Sequence, residues 1–278
     1  MIAQPAADAL RVARFLRGRL RFRVRPDDVF ISSYPRSGTT WLQHITHVLQ
    51  SGGDLDFTHI SAVAPWFERS LSLGRSTGAD FAALSGPRIF KSHLPRVWLP
   101  RGARHIYVRR DGRDVLVSYY HFYRSHLGYR GDFDAFFDRF MRGDLQYGSW
   151  FKHVAGWNRD AGDPSLLIVD YERLLEDLER EISRIAAFLG IALDAASRAR
   201  LASTCDFAFM KRHEAKFDHA AAEPGGADAA EPGRFIRSGV RGGFAALFSA
   251  DHQRRFELRL QKPAAWPALE LNLPEFLH

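Results

Sequence analysis

The residues from 29 to 41, VFISSYPRSGTTW, have the types and spacing of an oxyanion-binding turn. One permanent cation, Arg36, precedes four small residues whose backbone N–H groups can approach an anion closely. These four residues are Ser37, Gly38, Thr39 and Thr40. Val29 to Ile31 are typical of a strand, Pro35 ends it, and the apolar spacing from Trp41 onward is helical. A strand, a turn and a helix start in this order predict a site for a phosphate-type group.

Two observations limit what this turn can mean alone. The nucleoside triphosphate loop GxxxxGK[ST] is absent, because its first glycine and its lysine are both missing. An ordinary strand-to-helix turn also fits the pattern, since short motifs have real false-positive rates. The choice between these interpretations depends on the rest of the chain.

Residues 88–93, RIFKSH, predict a second short strand with polar residues at its carboxyl end. Ligands of open α/β sheets bind beyond the carboxyl ends of the strands, so Lys91 and His93 are expected to face a site. A lone histidine is more often structural, and this chain has 12. The position beside a lysine favours function, since the chain's other cations are mostly arginine and lysine supplies a compact point charge.

A third strand at residues 105–108 runs into the basic turn RRDGRD and then into a helix that Asp111 or Asp114 can cap. This turn is either an ordinary basic surface or a second anion site. Residues 235–244, FIRSGVRGGF, form another basic segment after an Ala/Gly/Pro-rich stretch.

Together, these segments resemble the cytosolic sulfotransferase family. YPRSGTTW is similar to the family's 5′-phosphosulfate loop YPKSGTTW, and KSHLP is similar to KTHLP, in which the histidine is the general base. YVRRDGRDVLVSYYHFY and FIRSGVRGGF resemble the two segments that bind the 3′-phosphate. The resemblance implies transfer of a sulfuryl group from 3′-phosphoadenosine 5′-phosphosulfate (PAPS) to a hydroxyl or an amine, without a metal.

The resemblance also implies a role for each candidate residue. His93 would be the general base, and Lys91 and Arg36 would neutralise the charge on the leaving oxygen. The turn residues that would bind the 5′-phosphate are Ser37, Gly38, Thr39 and Thr40. The residues that would bind the 3′-phosphate are Arg110, Ser118, Arg237, Ser238 and Gly239. The aromatic residues that would border the adenine are Trp41, Tyr171 and Phe207.

Several positions depart from the family's pattern. Arg36 and Ser238 replace lysines, Cys205 replaces a common threonine, and Phe244 replaces a tryptophan. Arg36 keeps the positive charge, but its guanidinium cannot place a single proton as an ammonium does. The changes at Ser238 and Cys205 lead us to expect weaker cofactor binding. The lysine and glutamate of the family's dimer motif are missing from residues 245–254, AALFSADHQR, so that dimer is not expected and the oligomeric state stays open.

The elements that must position these residues alternate between strand and helix. A buried strand at residues 165–169 completes a set of four, and helical patterns at 41–49, 115–119, 133–159 and 174–189 lie between and after them. This alternation predicts an α/β fold, a single domain with a central parallel sheet flanked by helices around a P-loop-like strand–loop–helix.

Three segments define the predicted domain organisation. Residues 1–25 are a basic lead-in, and LRVARFLRGRLRFRVR (10–25) fits a solvated helix followed by an extended stretch packed by one face. A membrane- or nucleic-acid-binding surface is the alternative for this segment. The sulfotransferase-like domain is expected at residues 26–278, with a mobile loop at 219–234.

Composition limits the partners and the compartment. The net charge of +7 over 278 residues favours anionic ligands. A single cysteine, Cys205, excludes an internal disulfide and suits the cytoplasm, and we expect neither a membrane span nor secretion. The aromatic residues Trp66, Tyr119 and Phe122 favour an apolar alcohol, phenol or amine as the acceptor. We expect neither a metal nor a nucleic acid as a partner.

Two other classes of function remain open on sequence alone. A P-loop-like nucleotide kinase would need a magnesium-binding aspartate and a loop lysine, and neither is evident. A non-enzymatic basic nucleotide-binding protein would explain the charge but not His93 beside Lys91.

Overall fold

The computed structural model describes residues 4–84, 86–218, 236 and 239–262. The expected loop at 219–234 and the candidate residues Arg237 and Ser238 lie outside these residues.

Four parallel strands form one sheet within the described residues. The strands are β1 (Val29–Ser32), β2 (Ile89–Ser92), β3 (Arg104–Arg109) and β4 (Leu166–Asp170). Their order across the sheet is β2-β1-β3-β4, and all pairings are parallel. Each strand lies where the apolar runs predicted it, so the prediction of an α/β fold with a central parallel sheet is confirmed.

Helices precede, connect and follow the strands. In the part of the chain that the structure describes, they are α1 (Gln4–Arg21), α2 (Thr39–Ser51), α3 (Ile60–Val63), α4 (Phe67–Ser72), α5 (Gly112–His126), α6 (Phe133–Arg142), α7 (Trp150–Asn158), α8 (Tyr171–Glu176), α9 (Leu178–Leu189), α10 (Ala195–Cys205), α11 (Phe207–Arg212) and α12 (Ala250–Gln261). Short 3-10 turns occur at Asp80–Ala83, Arg96–Trp98, Glu214–Lys216 and Gly243–Ala246. None of these helices is both long enough and apolar enough to cross a bilayer.

The sheet separates two hydrophobic cores, because successive side chains of a strand point to opposite faces. Val29 and Ile31 of β1 pack with the apolar face of α2, including Leu42 and Ile45. Phe30, between them, packs in the other core, where its ring stacks on Phe90 of β2 at 5.0 Å between centroids. Burial on both faces explains why the strands read as continuous apolar runs.

Three local predictions need correction. The single helix expected from Leu174 to Leu189 is two helices, because Asp177 adopts a non-helical conformation and its side chain accepts from the N–H of Arg180, which caps α9. The aromatic stretch up to Leu84, whose pattern predicts an irregular course, contains α3 and α4. Leu20, Phe22 and Val24 alternate with arginines, which predicts that all three lie in the extended stretch of the lead-in. Leu20 instead belongs to α1 and is exposed.

Candidate active site

The predicted site residues gather at the carboxyl edge of the sheet, between β1 and β3. The chain leaves β1 toward β2 on one side and leaves β3 toward β4 on the other, so the connections diverge between these two strands. Such a divergence opens a crevice that ligands of open α/β sheets occupy. The turn after β1 and the turn after β3 form its two walls.

The turn between β1 and α2 has the backbone of an anion cradle. Arg36 and Gly38 both adopt left-handed conformations, with φ of 68° and 100°. A Cβ at Gly38 would lie 2.7 Å from Cδ2 of Tyr171, so this position has no room for a side chain. Between them, the hydroxyl oxygen of Ser37 is buried and has no hydrogen-bond partner in the described part of the chain. A buried hydroxyl without a partner fits a bound phosphate oxygen.

The amino terminus of α2 points into the same cradle. Gly38 caps this helix, and a glycine has no side chain to accept a hydrogen bond from the first N–H groups. The hydroxyl of Thr39, the first residue of the helix, pairs with the hydroxyl of Ser33 at 2.5 Å. Thr40, beside it, is half-buried. Uncapped N–H groups and the helix dipole favour an anion at this position, so the residues present fit a 5′-phosphate.

His93 is held at the end of β2 with its ring orientation fixed. Its Nδ1 lies 2.8 Å from the carbonyl oxygen of Ser33, the residue after β1. A carbonyl can only accept, so Nδ1 carries the proton and the lone pair is on Nε2. In the described part of the chain, Nε2 has no hydrogen-bond partner. The imidazole therefore has the tautomer of a base, with its free nitrogen available for a proton.

The surroundings of His93 keep its ring neutral. The side chain is buried, and desolvation lowers the pKa of His93 well below its usual 6.5. The positive charges of Lys91 and Arg36 lower this pKa further, as does the neighbouring His153. Both predicted cations therefore disfavour protonation of the imidazole.

Glu68, which the sequence did not single out, connects Lys91 and His93 through Trp66. The ammonium of Lys91 lies 3.7 Å from the centre of the Trp66 ring. The indole N–H of Trp66 donates to Oε1 of Glu68 at 2.6 Å, and the backbone N–H of His93 donates to the same oxygen at 2.7 Å. Glu68 is fully buried, and desolvation raises its pKa. The carboxyl group of Glu68 thereby holds the Trp66 ring, which contacts both Lys91 and His93, and the backbone of His93 in place.

Tyr147 is the second residue that sequence reasoning missed. Its φ of 69° is left-handed, which is uncommon for a bulky residue and marks a position fixed by its surroundings. Its ring packs edge-on against His93, 5.1 Å between centroids, and Trp66 packs against His93 at the same distance. The imidazole is thus enclosed by two aromatic rings that exclude water from it.

The second basic turn reaches the first one. Arg110 donates from Nη1 to the backbone carbonyl of Arg36 at 3.2 Å, and Arg36 donates from Nε to the hydroxyl of Ser118 at 3.3 Å. The guanidinium of Arg36 also lies 4.9 Å from the centre of the Phe122 ring. The side chain of Arg36 therefore extends toward the 3′-phosphate candidates, whereas the sequence assigned it only to the leaving oxygen. Nε of Arg110 is buried without a partner in the described residues.

Of the three predicted adenine neighbours, Tyr171 lies against Gly38 of the anion cradle, Trp41 packs on Tyr171, and Phe207 contacts Gly239. Trp41 and Tyr171 pack edge-on with centroids 5.7 Å apart, and the guanidinium of Arg110 lies 4.4 Å from the centre of the Tyr171 ring. The indole N–H of Trp41 donates to the carbonyl of Cys205 at 2.6 Å. Gly239 lies directly on the ring of Phe207, since a Cβ there would be 2.3 Å from Cε2.

Asp114 fixes the segment that contains Gly239. Its buried carboxylate accepts from the backbone N–H groups of Gly242 at 2.9 Å and Phe244 at 3.1 Å. Nη2 of Arg110 donates to the carbonyl of Val240 at 3.4 Å. Of the two predicted caps for α5, Asp111 has this function, and Asp114 instead joins the third basic segment to the second.

Comparison with known proteins identifies the class to which this fold and site belong. The family model described as the sulfotransferase domain matches residues 26–265. The chain therefore belongs to the sulfotransferase family. It is 32% identical to Sulfotransferase 1A1 of Bos taurus over 264 residues, which cover 88% of this chain and 85% of that one. It is 31% identical to Sulfotransferase 1B1 of Mus musculus over 269 residues, covering 90% and 86%.

Solved structures agree with this assignment. A retinol dehydratase in complex with androsterone and the inactive cofactor PAP superimposes with a TM-score of 0.77 at 25% identity, covering 92% of this chain and 88% of that one. A mouse sulfotransferase complexed with PAP gives a TM-score of 0.72 at 26% identity, covering 90% and 88%. The chain is a PAPS-dependent sulfotransferase, and neither a nucleotide kinase nor a non-enzymatic nucleotide-binding protein is favoured. Within the described residues, no cluster of three or more potential metal ligands is present.

Proposed function

We propose that His93 is the general base of sulfuryl transfer to a small-molecule acceptor. The observation that carries this proposal is the tautomer of the imidazole, with Nδ1 held by the Ser33 carbonyl and Nε2 without a partner among the residues that the structure describes. Nε2 takes the proton of the acceptor hydroxyl or amine as that atom attacks. The bound donor supplies the sulfuryl group and the bisphosphate that departs with the electron pair.

The chain's cations and N–H groups bind and orient the donor. The cradle of residues 37–40 holds the 5′-phosphate, and the ammonium of Lys91 stabilises the charge that develops on the leaving oxygen. Arg36 lies between the two phosphate sites, since its backbone forms the first and its guanidinium contacts Ser118 of the second. Positioning and charge stabilisation supply most of the rate in such in-line transfers.

The 3′-phosphate is bound by Arg110 and Ser118, with Arg237, Ser238 and Gly239 closing over it. The buried Nε of Arg110 and the contact between Arg110 and Val240 support this role. The adenine lies among Trp41, Tyr171 and Phe207. We assign this activity to a domain at residues 26–278.

The acceptor is an apolar alcohol, phenol or amine. Trp66, Tyr147 and Phe122 place aromatic surface around the imidazole and the Arg36 guanidinium, which supports an apolar acceptor over a charged sugar. The retinol dehydratase relative is bound to androsterone in one structure and to retinol in another, both apolar alcohols. The buried single cysteine supports a cytoplasmic location, and the altered dimer motif supports an assembly that does not use it.

The function is tested by two measurements on the same preparation. Titration calorimetry compares adenosine 3′,5′-bisphosphate with ATP and magnesium, and a screen with sulfur-labelled donor compares apolar alcohols, phenols and amines with charged sugars. We expect tight bisphosphate binding, weak ATP binding and labelled products from apolar acceptors. Preference for ATP and magnesium would contradict the assignment, and labelling of charged sugars alone would contradict the acceptor class.

Replacement of Arg110 by glutamine is expected to remove the preference for a 3′-phosphate. A charge-assisted hydrogen bond contributes about 1.5–3 kcal/mol, so bisphosphate affinity should fall about 10- to 100-fold. Affinity for the 5′-monophosphate should change little, because that ligand lacks the group bound by Arg110. Arg109→Gln is the matched control, since the neighbouring guanidinium is ion-paired with Asp170. Equal losses for both nucleotides would contradict the role.

The pH dependence of turnover follows from the lowered pKa of His93. The base functions when neutral, so activity is lost only as the pH falls through its lowered pKa. We therefore expect the acid limb of kcat/KM, measured with an aliphatic alcohol acceptor, to lie below the ordinary histidine pKa of about 6.5. Activity should stay level from there through neutral pH. An acid limb at or above the ordinary value would contradict the neutral, desolvated imidazole described here.

A further inference from the structure

Helix α1 packs on the domain through one face and leaves the opposite face to solvent. Phe15 is fully buried, with ring centroids 6.4 Å from Phe67 and 6.5 Å from Trp98. Gly18 lies so close to α4 that a Cβ there would be 2.6 Å from Cδ2 of Leu71. The strongly apolar face is therefore committed to the core, and the helix presents its other face in a fixed orientation.

The outer face of α1 contains only three types of residue. Between residues 6 and 21, the exposed positions are Ala6, Ala9, Leu10, Ala13, Arg14, Leu16, Arg17, Leu20 and Arg21. Leu10, Leu16 and Leu20 are 43, 40 and 87% exposed. The only carboxylate of the helix, Asp8, is not among the exposed residues. This outer face is both apolar and purely cationic.

Further cationic and apolar residues are exposed near the carboxyl end of α1. Nε of Arg19 donates to the carbonyl of Trp98 at 3.4 Å, which brings the adjacent Val97 beside the carboxyl end of α1. Val97 is 61% exposed. Arg23 and Val24, which follow the helix, are exposed as well.

We propose that the outer face of α1 docks the enzyme on an anionic lipid bilayer. Leucine side chains can enter the boundary between headgroups and acyl chains, while neighbouring guanidinium groups bind headgroup phosphates. Arg14, Arg17 and Arg21 have no ion-pair partner within the described residues, so their charge is available to such a surface. Arginine stems also lie along apolar surface while the charged group stays at the headgroups.

Charge and apolar exposure together favour a bilayer over two other partners. A nucleic acid would neutralise the arginines but would gain nothing from three exposed leucines. A second copy of the chain, paired through the same face, would bring arginines against arginines with no exposed carboxylate of α1 to compensate. Only an anionic and partly apolar surface complements both features.

The test is co-sedimentation of the full chain with vesicles. We expect binding to phosphatidylcholine vesicles that contain about one third phosphatidylglycerol, weak binding to pure phosphatidylcholine, and partial release by salt. Arg14→Gln, Arg17→Gln and Arg21→Gln together should weaken binding about 100-fold, at about fivefold for each charge near the surface. Leu16→Gln with Leu20→Gln should weaken it about tenfold, because their apolar surface no longer enters the interface.

Matched controls come from α12. Leu258 and Leu260 are 52 and 53% exposed, so Leu258→Gln with Leu260→Gln removes comparable apolar surface elsewhere. Arg254→Gln removes an exposed arginine that is ion-paired with Asp251. We expect both controls to bind vesicles like the wild type. All variants should keep wild-type bisphosphate affinity and thermal midpoint, since the altered side chains are on the surface.

Four results would overturn the proposal. The first is no binding to anionic vesicles, and the second is equal binding to neutral ones. The third is tight binding to RNA or DNA that the leucine variant retains, which would identify a nucleic-acid surface. The fourth is concentration-dependent dimerisation without vesicles that the leucine variant abolishes, which would identify a second copy as the partner.

Discussion

Replacement of His93 by alanine is expected to lower kcat about 10²- to 10⁴-fold, the usual contribution of a general base. The imidazole Nε2 is the available proton acceptor in this part of the site, and its neutral form is maintained by burial and by two nearby cations. Bisphosphate affinity should remain within a fewfold of wild type, because the phosphate sites are formed by the Arg36 turn and by Arg110. Single-turnover kinetics and calorimetry measure the two effects separately.

The control for this variant is His213→Ala, which removes an exposed histidine at the end of α11. That change should leave kcat unaltered. His93→Gln offers a further comparison, since glutamine can reach a similar position but cannot accept a proton at neutral pH. If His93→Ala lost bisphosphate binding together with activity, His93 would be supporting the donor site and not accepting the proton.

The second large effect is expected from Lys91→Met, which removes one charge while retaining an unbranched side chain. The ammonium acts in a buried site, where charge stabilisation is stronger than in water, so kcat should fall about 10²- to 10³-fold. The methionine can still pack on the Trp66 ring, and Glu68 still fixes that ring and the backbone of His93. Pre-steady-state transfer of labelled sulfuryl measures the chemical step directly.

Lys152→Met is the matched control, because Lys152 lies on α7 and belongs to neither phosphate site. It should turn over like the wild type. Lys91→Arg distinguishes charge from geometry, since a planar guanidinium keeps the charge but cannot occupy the same compact position. Full activity in Lys91→Met would show that Arg36 alone neutralises the leaving oxygen.

Sequence reasoning succeeded where the signal is local. The anion turn is contiguous in the chain, so β1, the small residues after Arg36 and the start of α2 could be predicted from one short stretch. Lys91 and His93 could be placed because a strand end determines where its polar residues go. The same logic placed Arg110 at the end of β3, opposite the first turn.

The missed features depend on contacts between distant segments. Glu68 lies in a short helix among aromatic residues, and only the fold shows its carboxyl group between Trp66 and the backbone of His93. Nothing in the sequence indicates that Tyr147 adopts a left-handed conformation, since that follows from its packing on the imidazole. The break between α8 and α9 follows from one residue, Asp177, which is a better cap than helix interior.

The carbonyl that orients His93 belongs to Ser33, three residues before the first left-handed residue of the anion turn. No substitution can delete a main-chain oxygen. The path of the backbone, and not a side chain, therefore sets the tautomer of His93. The connection between β1 and α2 therefore both orients the imidazole and forms the proposed site for the nucleotide's 5′-phosphate. A substitution that changes the backbone of this connection, such as Pro35→Gly, should alter both nucleotide affinity and the pH profile of turnover. In contrast, a change at Arg110 should alter mainly nucleotide affinity, and a change at His93 should alter mainly turnover.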